Sequence, residues 1–189
     1  MSTNKKQQKD TLYGSVPEDI FLKAQKIRLL ICDVDGVFSD GRIYLGNDGE
    51  ELKAFHTRDG YGVKTIMSAG IEVAVITGRQ SDIVARRMKA LGINNIYQGQ
   101  DDKDKAYQLL LSELAVPAEQ TAYIGDDLID WEVMKQVGLS VCVKDGHPLL
   151  AQKADWVTRT PGGYGAVREL CDLILEARGE IEQHKGLSI

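Results

Sequence analysis

The segment LLICDVDGVFSDG, residues 29–41, places four consecutive apolar residues directly before two aspartates, Asp33 and Asp35. A short apolar run of this kind is typical of a strand that is buried on both faces of a parallel sheet. In an open parallel sheet, ligands bind beyond the carboxyl ends of the strands. Two carboxylates placed so close together repel one another unless a cation neutralises them. If the pair lies in such a site, its carboxylates suit a divalent ion with oxygen ligands, Mg²⁺ in particular.

The rest of the chain alternates short apolar runs with segments of helical spacing. Strands are predicted at 27–33, 71–78, 94–99, 121–127, 139–145 and 155–159, and helices at 60–69, 80–91, 103–115, 128–137 and 166–177. This alternation indicates right-handed crossovers and a parallel sheet covered on both faces. We predict an α/β fold, a doubly wound Rossmann-like parallel sheet, over residues 20–180. Residues 1–19 are predicted to be a mostly disordered tail and residues 181–189 a C-terminal tail.

Composition and charge narrow the class of protein. The 189 residues suffice for one domain with a sizeable core, and a net charge of −5 argues against a nucleic-acid partner. No apolar run approaches the roughly 20 residues that cross a bilayer, and the first 19 residues lack the apolar core of a signal peptide. Cys32, Cys142 and Cys171 lie in apolar segments and are typical of a reducing compartment. A cytoplasmic protein without nucleic-acid or membrane partners is therefore expected.

Residues 41–55 interrupt the alternation of strands and helices. Two short strand-like arms flank Asn47-Asp48-Gly49, which is a strong hairpin turn signal. A lone two-stranded hairpin is marginally stable in water, so its apolar residues need a surface to pack against. Two arrangements remain open: the hairpin packs on its own domain, or hairpins from several subunits pack together.

Polar residues also follow the other predicted strands. Thr77-Gly78-Arg79 follows the second strand, Lys103 begins the helix after the third, and Asp126-Asp127 follows the fourth. Each motif alone has a plain structural explanation, since an aspartate at a strand end often caps a helix. Together they predict one polar site, because the carboxyl ends of parallel strands meet at the same rim of the sheet.

These residues resemble the haloacid dehalogenase superfamily of phosphotransferases, through Asp-x-Asp-Gly at 33–36, the Thr77 turn, Lys103, and Gly-Asp-Asp-x-x-Asp at 125–130. The resemblance implies that Asp33 attacks phosphorus and forms an aspartyl-phosphate, while Asp35 is the general acid and base. Thr77 and Lys103 would bind the phosphoryl oxygens. Lys105 is a weaker alternative to Lys103, because it lies further into the helix.

The same resemblance implies a metal site and its supporting residues. Mg²⁺ would be held by the Asp33 side chain, the Asp35 backbone carbonyl and Asp126. Asp127 and Asp130 would orient Lys103 and the metal ligands. Members that gate large substrates insert a cap domain before or after the Thr77 turn, and neither interval is long enough for one here. Water exclusion is therefore expected from a neighbouring subunit, reached through the 41–55 hairpin and the C-terminal tail.

Within the superfamily, four segments resemble capless phosphatases that act on an eight-carbon sugar acid phosphate in lipopolysaccharide synthesis: 55–64, 125–134, 145–150 and 162–175. Those enzymes are similarly tetramers with a central barrel of β-hairpins. The implied substrate carries a carboxylate and a phosphate. The substrate-binding residues implied are Asp35, His56, Thr57, Arg58, Asp59, Gly60, Lys64, Thr77, Gly78, Arg79, Arg87 and Lys103. Arg87 could equally lie on a solvated helix face.

One departure and three alternatives stand beside this resemblance. Family members often carry a basic residue in the Gly-Gly-x-Gly-Ala loop, where this chain has Tyr164, so contact of the Gly162–Gly165 loop with substrate is in doubt. A phosphatase for a nine-carbon sugar acid is the closest alternative. A catalytically silent oligomerisation module is disfavoured by the intact polar motifs. A phosphorelay receiver domain is disfavoured by the order of Lys103 before Asp126.

Overall fold

The predicted alternation of strands and helices is present in the computed structural model, which describes residues 7–184. In chain order its elements are β1 (Gln8–Lys9), β2 (Val16–Pro17), α1 (Glu18–Gln25), β3 (Leu29–Cys32), β4 (Tyr44–Leu45), β5 (Glu51–Leu52), α2 (Thr57–Ser68), β6 (Glu72–Ile76), α3 (Asp82–Leu91), β7 (Asn95–Tyr97), α4 (Lys103–Leu114), β8 (Thr121–Gly125), α5 (Trp131–Met134), β9 (Leu139–Cys142), α6 (Pro148–Lys153), β10 (Trp156–Val157) and α7 (Ala166–Ala177). Short 3₁₀ helices at Ala118–Gln120 and Leu128–Asp130 precede β8 and α5.

The central sheet has six parallel strands in the order β10-β9-β8-β3-β6-β7. The chain proceeds outward from β3 to β6 and β7 on one side, then returns to lay β8, β9 and β10 on the other. The strand order therefore reverses between β3 and β8. In open α/β sheets the ligand crevice lies at such a reversal, beyond the carboxyl ends of the strands. The predicted doubly wound α/β fold is confirmed.

Alternate side chains of each inner strand enter two cores, one on each face of the sheet. In β3, Leu30 and Cys32 join the core covered by α1, α2, α3 and α7, whereas Leu29 and Ile31 join the core under α4, α5 and α6. A strand buried on both faces has to be apolar throughout. The first charged side chain after the start of β3 therefore appears where the chain leaves the sheet, at Asp33.

The hairpin predicted at 41–55 is present, with β4 and β5 paired in antiparallel register. The Gly46 N–H donates a hydrogen bond to the Glu50 carbonyl at 2.7 Å and closes the turn. The large apolar side chains of the hairpin are nevertheless exposed: Ile43, Tyr44, Leu45 and Leu52. Packing on its own domain therefore leaves these apolar side chains of the hairpin uncovered.

The prediction of a disordered tail over residues 1–19 is wrong for the part that the structure describes. β1 pairs with β2, Val16 is buried, and the Tyr13 hydroxyl donates to Asp172 of α7 at 2.9 Å. A few apolar residues among many polar ones carry too little periodicity to predict a docked segment. Residues 1–6, and residues 185–189 of the predicted C-terminal tail, lie outside the described residues.

Three helical regions differ from the prediction. Helices α1 and α6 are not predicted from the sequence, and the predicted helix at 128–137 is reduced to a 3₁₀ turn followed by the single turn of α5. Asp127 and Asp130 form a capping box that closes this tight turn. None of the described helices is both long and apolar enough to cross a membrane.

Candidate active site

The loop after β3 brings its two aspartates to the carboxyl rim of the sheet in a tight turn. The Asp33 N–H continues the strand ladder by donating to Ile124 at 3.0 Å, while the N–H groups of Phe38 and Ser39 fold back onto the Val34 carbonyl. Gly36 has a positive φ of 91°. A Cβ there would overlap a carboxylate oxygen of Asp126, so glycine allows the two strand-end loops to approach each other.

Lys103 joins the carboxylates of two different strand ends. Its Nζ lies 2.9 Å from Asp33 Oδ1 and donates a hydrogen bond to Asp130 Oδ1 at 2.7 Å. The three side chains are almost completely buried, with Asp33 only 5% exposed. Burial lowers the pKa of Lys103, but the charges of Asp33 and Asp130 raise it further, and the net shift is upward. Lys103 is therefore a buried cation beside the predicted nucleophile, and its binding of phosphoryl oxygens stays a prediction.

Asp130 is held on both carboxylate oxygens. Oδ1 also accepts a hydrogen bond from the Tyr123 hydroxyl at 2.7 Å, and Oδ2 accepts from the N–H groups of Asp126 and Asp127 at 3.1 and 3.3 Å. The Asp127 side chain is exposed and accepts from the Leu128 N–H. Asp130 therefore contacts Lys103 directly, whereas Asp127 supports the turn that carries Asp130.

The gap between β3 and β8 has the electrostatics of a cation site. Burial raises the pKa of Asp33 to about 6, with the charge of Asp130 adding to it, and burial together with the charge of Asp33 raises the pKa of Asp126 to about 8. Carboxylate oxygens of Asp33, Asp126 and Asp130 all lie within 4.8 Å of one another. Crowding of this kind disfavours ionisation of the carboxyl groups unless a cation joins them.

The donor set fits a hard cation such as Mg²⁺. Oδ1 of Asp33 is buried, and despite its ion pair with Lys103 no well-directed hydrogen bond reaches it within the described residues. Asp130 already accepts two hydrogen bonds on each oxygen. The oxygens best able to hold an ion therefore belong to Asp33 and Asp126, which are the two side chains predicted from the sequence.

The turn after β6 completes the rim. Thr77 is buried, its N–H donates to the Tyr97 carbonyl at 2.9 Å, and its own carbonyl accepts from the Gln100 N–H at 3.1 Å. These bonds hold Thr77 at the end of β6, next to β3. Arg79 is 47% exposed and lies 3.8 Å from Asp35 Oδ2. The structure therefore brings both the Thr77 turn and Arg79 to the predicted site.

Residues 56–58 lie at the start of α2, at the edge of the site. The His56 side chain caps the helix by accepting from the Arg58 N–H at 3.0 Å, and Thr57 and Arg58 are exposed. His56 also lines a pocket of about 190 Å³ with Asp40 and Tyr164. This segment therefore borders the loop that follows Asp33 and Asp35, and its contact with substrate stays a prediction.

Three other residues predicted to bind substrate are not brought to the rim. Asp59 is buried and accepts from the Arg168 N–H at 2.8 Å, so it caps α7. Gly60 is buried beneath Arg87 of α3. Lys64 lines a groove at the far end of α2 and α3, beside Gly92. The sequence places these residues near the site only because they follow residues 56–58 along the chain.

For Arg87 and the Gly162–Gly165 loop the sequence allows two interpretations each, and the structure shows what each of them contacts within the chain. The Arg87 guanidinium lies over Gly60 and its Nε is buried, so Arg87 does not lie on a fully solvated helix face. A Cβ on Gly162 would overlap the Gly36 carbonyl oxygen, and the Gly163 N–H donates to Val37 at 2.8 Å. The backbone of the glycine loop therefore packs directly against the backbone of the loop that carries Asp33 and Gly36.

Sequence reasoning missed three residues at the site. Tyr123 bonds Asp130 from β8, and Glu51 and Lys53 of the hairpin contact Arg79 and Asp35. Successive side chains of a strand point to opposite faces, so the sequence could have indicated the face on which each of these three residues lies. Glu51 and Lys53 flank the exposed Leu52 in the sequence, so their side chains point to the opposite side of the hairpin. In β8, Tyr123 belongs to the core under α4, α5 and α6, whereas its neighbours Ala122 and Ile124 belong to the core on the other face of the sheet.

The fold and the site define a hydrolase of the haloacid dehalogenase superfamily, and the family model described as haloacid dehalogenase-like hydrolase matches residues 89–169. A 3-deoxy-D-manno-octulosonate 8-phosphate phosphatase of Yersinia pestis is 60% identical over 180 residues, which cover 95% of this chain and 96% of that protein. The chain therefore belongs to the 3-deoxy-D-manno-octulosonate 8-phosphate phosphatase family, whose members are phosphoric monoester hydrolases.

Two solved structures resemble the chain over most of its length. The crystal structure of the phosphatase from Yersinia pestis has a TM-score of 0.96 at 58% identity and covers 98% of this chain and 100% of that one. The phosphatase from Moraxella catarrhalis has a TM-score of 0.86 at 43% identity, covering 88% and 95%. The latter structure is described as a complex with magnesium ion, phosphate ion and the eight-carbon sugar acid KDO.

Proposed function

We propose that this chain is the Mg²⁺-dependent phosphatase that converts 3-deoxy-D-manno-octulosonate 8-phosphate to the free sugar acid and phosphate in lipopolysaccharide biosynthesis. The observation that carries the proposal is the gathering of Asp33, Lys103 and Asp126 around one gap at the strand-order reversal. The relatives that share this chain over 95% of its length support the choice of substrate.

The first half-reaction uses Asp33 as nucleophile and Asp35 as acid. An oxygen of Asp33 forms a bond to phosphorus while the bond from phosphorus to the sugar oxygen breaks, and Asp35 gives its proton to that leaving oxygen. Lys103 and Thr77 stabilise the negative charge on the transferring phosphoryl oxygens. Mg²⁺, held by Asp33, the Asp35 carbonyl and Asp126, would supply further charge neutralisation between nucleophile and phosphoryl group.

The second half-reaction returns the site to its starting state. Asp35, now ionised, takes a proton from a water molecule as the water oxygen bonds to phosphorus, and the bond between phosphorus and Asp33 breaks. Inorganic phosphate leaves and Asp33 is again a carboxylate. Tyr123 and the backbone N–H groups around Asp130 keep Lys103 in place throughout, because they satisfy every oxygen of Asp130.

The substrate carboxylate requires cations besides Lys103, and the exposed rim offers them. Arg79 is half exposed beside Asp35, and Thr57 and Arg58 are exposed at the start of α2. His56, Thr57, Arg58, Gly78 and Arg79 are therefore the proposed substrate contacts. Asp59 and Gly60 are buried, and Lys64 lines a groove beside Gly92, so these three residues are not included in the proposal.

The Asp33→Asn variant tests the nucleophile, and a panel of phosphorylated sugars and sugar acids tests the substrate. With Mg²⁺ present, we expect Asp33→Asn to lower the rate of phosphate release from the eight-carbon sugar acid phosphate by a factor of about 10⁴ or more. Wild-type turnover should be much lower on the nine-carbon analogue. Turnover by Asp33→Asn near that of wild type would exclude Asp33 as nucleophile, and equal rates on both sugar acids would exclude the proposed specificity.

We also propose that the chain assembles as a homotetramer through the 41–55 hairpin. Four large apolar side chains are exposed on one short hairpin (Ile43, Tyr44, Leu45 and Leu52), and such clusters are typical of protein–protein contacts. The proposal would also account for water exclusion at a site without a cap domain. Light scattering of the intact chain measures the assembly directly.

We further propose that the protein acts in the cytoplasm. Cys32, Cys142 and Cys171 are all buried free thiols, which is the state expected in a reducing compartment. Cell fractionation with an antibody against the chain tests this location.

A further inference from the structure

The 41–55 hairpin reaches back to the catalytic loop through one buried lysine. Lys53 follows β5, its side chain is 0% exposed, and its Nζ contacts Asp35 Oδ1. The same Nζ lies 3.6 Å from Glu51 Oε1. Burying an ammonium group is costly unless it is paired with charged partners. The position of Lys53 is therefore specified by Asp35 and Glu51.

Arg79 closes the arrangement into a network of two cations and two carboxylates. Its Nε lies 3.8 Å from Asp35 Oδ2, and its Nη2 lies 3.6 Å from Glu51 Oε2. The network joins the hairpin, the loop after β3 and the turn after β6. Arg79 is half exposed, whereas Lys53 is fully enclosed, so Lys53 is the more strongly positioned of the two cations.

The donors around Asp35 are distributed unequally between its two oxygens. Lys53 Nζ donates to Oδ1, and Ser39 Oγ lies 3.3 Å from the same oxygen and shares its one proton between Oδ1 and the Val34 carbonyl, whereas the contact of Oδ2 is the longer one to Arg79. An oxygen that accepts two hydrogen bonds is a poor partner for a third group. Oδ2 is therefore the oxygen available to exchange a proton with a ligand at the rim.

We propose that Lys53 is a positioning residue for proton transfer: through its contact with Asp35 Oδ1 it holds the carboxyl group so that Oδ2 faces the leaving oxygen of the substrate. This inference rests on the proposed function, in which Asp35 is the general acid. Since Lys53 belongs to the hairpin, the hairpin contributes to the chemical step of its own subunit in addition to offering an apolar face to others.

The test compares leaving groups that differ in their need for a proton. Phenyl phosphate and 4-nitrophenyl phosphate have nearly the same shape, but 4-nitrophenolate leaves readily without protonation. We expect Lys53→Met to lower kcat/KM for phenyl phosphate and for the sugar acid phosphate by about 10- to 100-fold, which is part of the roughly 10²–10⁴-fold that a general acid contributes. The loss on 4-nitrophenyl phosphate should stay below about threefold. Lys53→Arg, which keeps the cation, should recover most of the loss.

Asp35→Asn and Lys26→Met serve as the two references. Asp35→Asn should show the same dependence on leaving group, and Lys53→Met combined with Asp35→Asn should be no worse than Asp35→Asn alone. Lys26 is exposed at the end of α1, and Lys26→Met should leave kcat/KM unchanged for all three substrates. Thermal unfolding and light scattering establish that each variant is folded and assembled as wild type.

Equal losses on the two aryl phosphates, or none on either, would overturn the role of Lys53. If Lys53→Met does not fold, Glu51→Gln removes one charged partner of Lys53 and should show the same leaving-group dependence with a smaller amplitude. Failure of the wild-type protein to hydrolyse the sugar acid phosphate would instead overturn the proposed function. The aryl phosphates keep the two results distinguishable.

Discussion

Asp130 shows how single residues hold the site together. Its carboxylate accepts four hydrogen bonds, from Lys103, Tyr123 and the N–H groups of Asp126 and Asp127. A buried carboxylate with this many donors is held in one orientation. Lys103 is thereby held beside Asp33, where it can stabilise the charge of a transferring phosphoryl group.

The Tyr123→Phe variant should distinguish the contribution of the hydrogen bond to Asp130 from the contribution of ring packing, because it removes only the hydroxyl group. Loss of the hydroxyl removes a hydrogen bond to a charged group, which contributes about 1.5–3 kcal/mol to the free energy of unfolding. We expect kcat to fall about tenfold, because Asp130 then holds Lys103 less firmly. Urea unfolding and steady-state kinetics measure the two effects.

Tyr107→Phe is the matched control for Tyr123→Phe. Tyr107 is equally buried, but among residues 7–184 its hydroxyl has a single hydrogen-bond partner, the neutral Thr121 hydroxyl at 3.4 Å, at the opposite end of β8 from the rim. Its loss should cost about 1 kcal/mol or less and leave kcat unchanged. If both variants lowered kcat alike, the effect of Tyr123 would be one of packing only.

The raised pKa values of Asp33 and Asp126 predict how stability depends on pH. The folded chain without metal holds protons with pKa values of about 6 and about 8, whereas an unfolded aspartate releases its proton near pH 4. The folded state therefore binds more protons between about pH 4 and 8, and its free energy of unfolding falls as the pH rises through that window.

Mg²⁺ should counteract this loss of stability, since it binds the ionised carboxylates of the folded state. We expect the melting temperature to rise more on adding Mg²⁺ at pH 8 than at pH 5. Asp126→Asn should flatten the pH dependence above pH 6 and weaken the effect of Mg²⁺. Melting curves that respond equally to Mg²⁺ at both pH values would contradict the assignment of the site.

Between elements, the loop at 162–165 supports the catalytic loop by close backbone contact. Gly162→Ala would drive a methyl group into the Gly36 carbonyl and displace the loop that carries Asp33. We expect a loss of about 1–3 kcal/mol of stability, as for other overpacked sites, together with a fall in kcat. Thermal unfolding and kinetics measure both.

Gly179→Ala is the control for this contact. Gly179 has a positive φ of 71°, but a Cβ there meets no other atom within 4 Å. The substitution should cost about 1 kcal/mol through backbone strain alone and leave kcat intact. A normal kcat in Gly162→Ala would show that the catalytic loop does not depend on the glycine loop.

Asp59 links α2 to the start of α7, and its variants test whether it contacts substrate. Asp59→Ala removes an acceptor for the Arg168 N–H and should cost about 1–2 kcal/mol of stability, as for other helix caps. KM for the sugar acid phosphate should stay within about twofold of wild type, because Asp59 is buried. Arg58→Ala, at the exposed neighbouring position, should raise KM instead. A large rise in KM for Asp59→Ala would restore Asp59 as a substrate contact.

At the scale of the whole molecule, assembly is expected at the exposed apolar side chains of the hairpin. Leu45 is 74% exposed, which is the largest exposed fraction among them, so Leu45→Glu should place a charge in the proposed tetramer contact. We expect smaller species in light scattering and a loss of activity that parallels dissociation. Leu12→Glu changes an apolar residue of similar exposure outside the hairpin and should have no effect. A fully active monomer would exclude assembly as a requirement for catalysis.

Much of the fold and of the site is predictable from the sequence because the signals are local. The break from Leu29–Cys32 to Asp33 marks the end of a strand that cannot bury a charge, and the same logic locates Thr77 and Asp126. Parallel strands bring such ends to one rim whatever their order in the chain. The residues of the catalytic gap therefore follow from the pattern of apolar runs and the polar residues behind them.

Only the tertiary structure decided which residues meet across elements. Lys53 is 18 residues from Asp35, Tyr123 enters the site from the face of β8, and Asp59 turns away to cap α7. The N-terminal segment likewise docks on α7 without a periodic signal. The alternation along a strand indicates the face on which a side chain lies, but the residue that it meets depends on the distance and angle between packed elements, and the local order of polar and apolar residues does not contain these quantities.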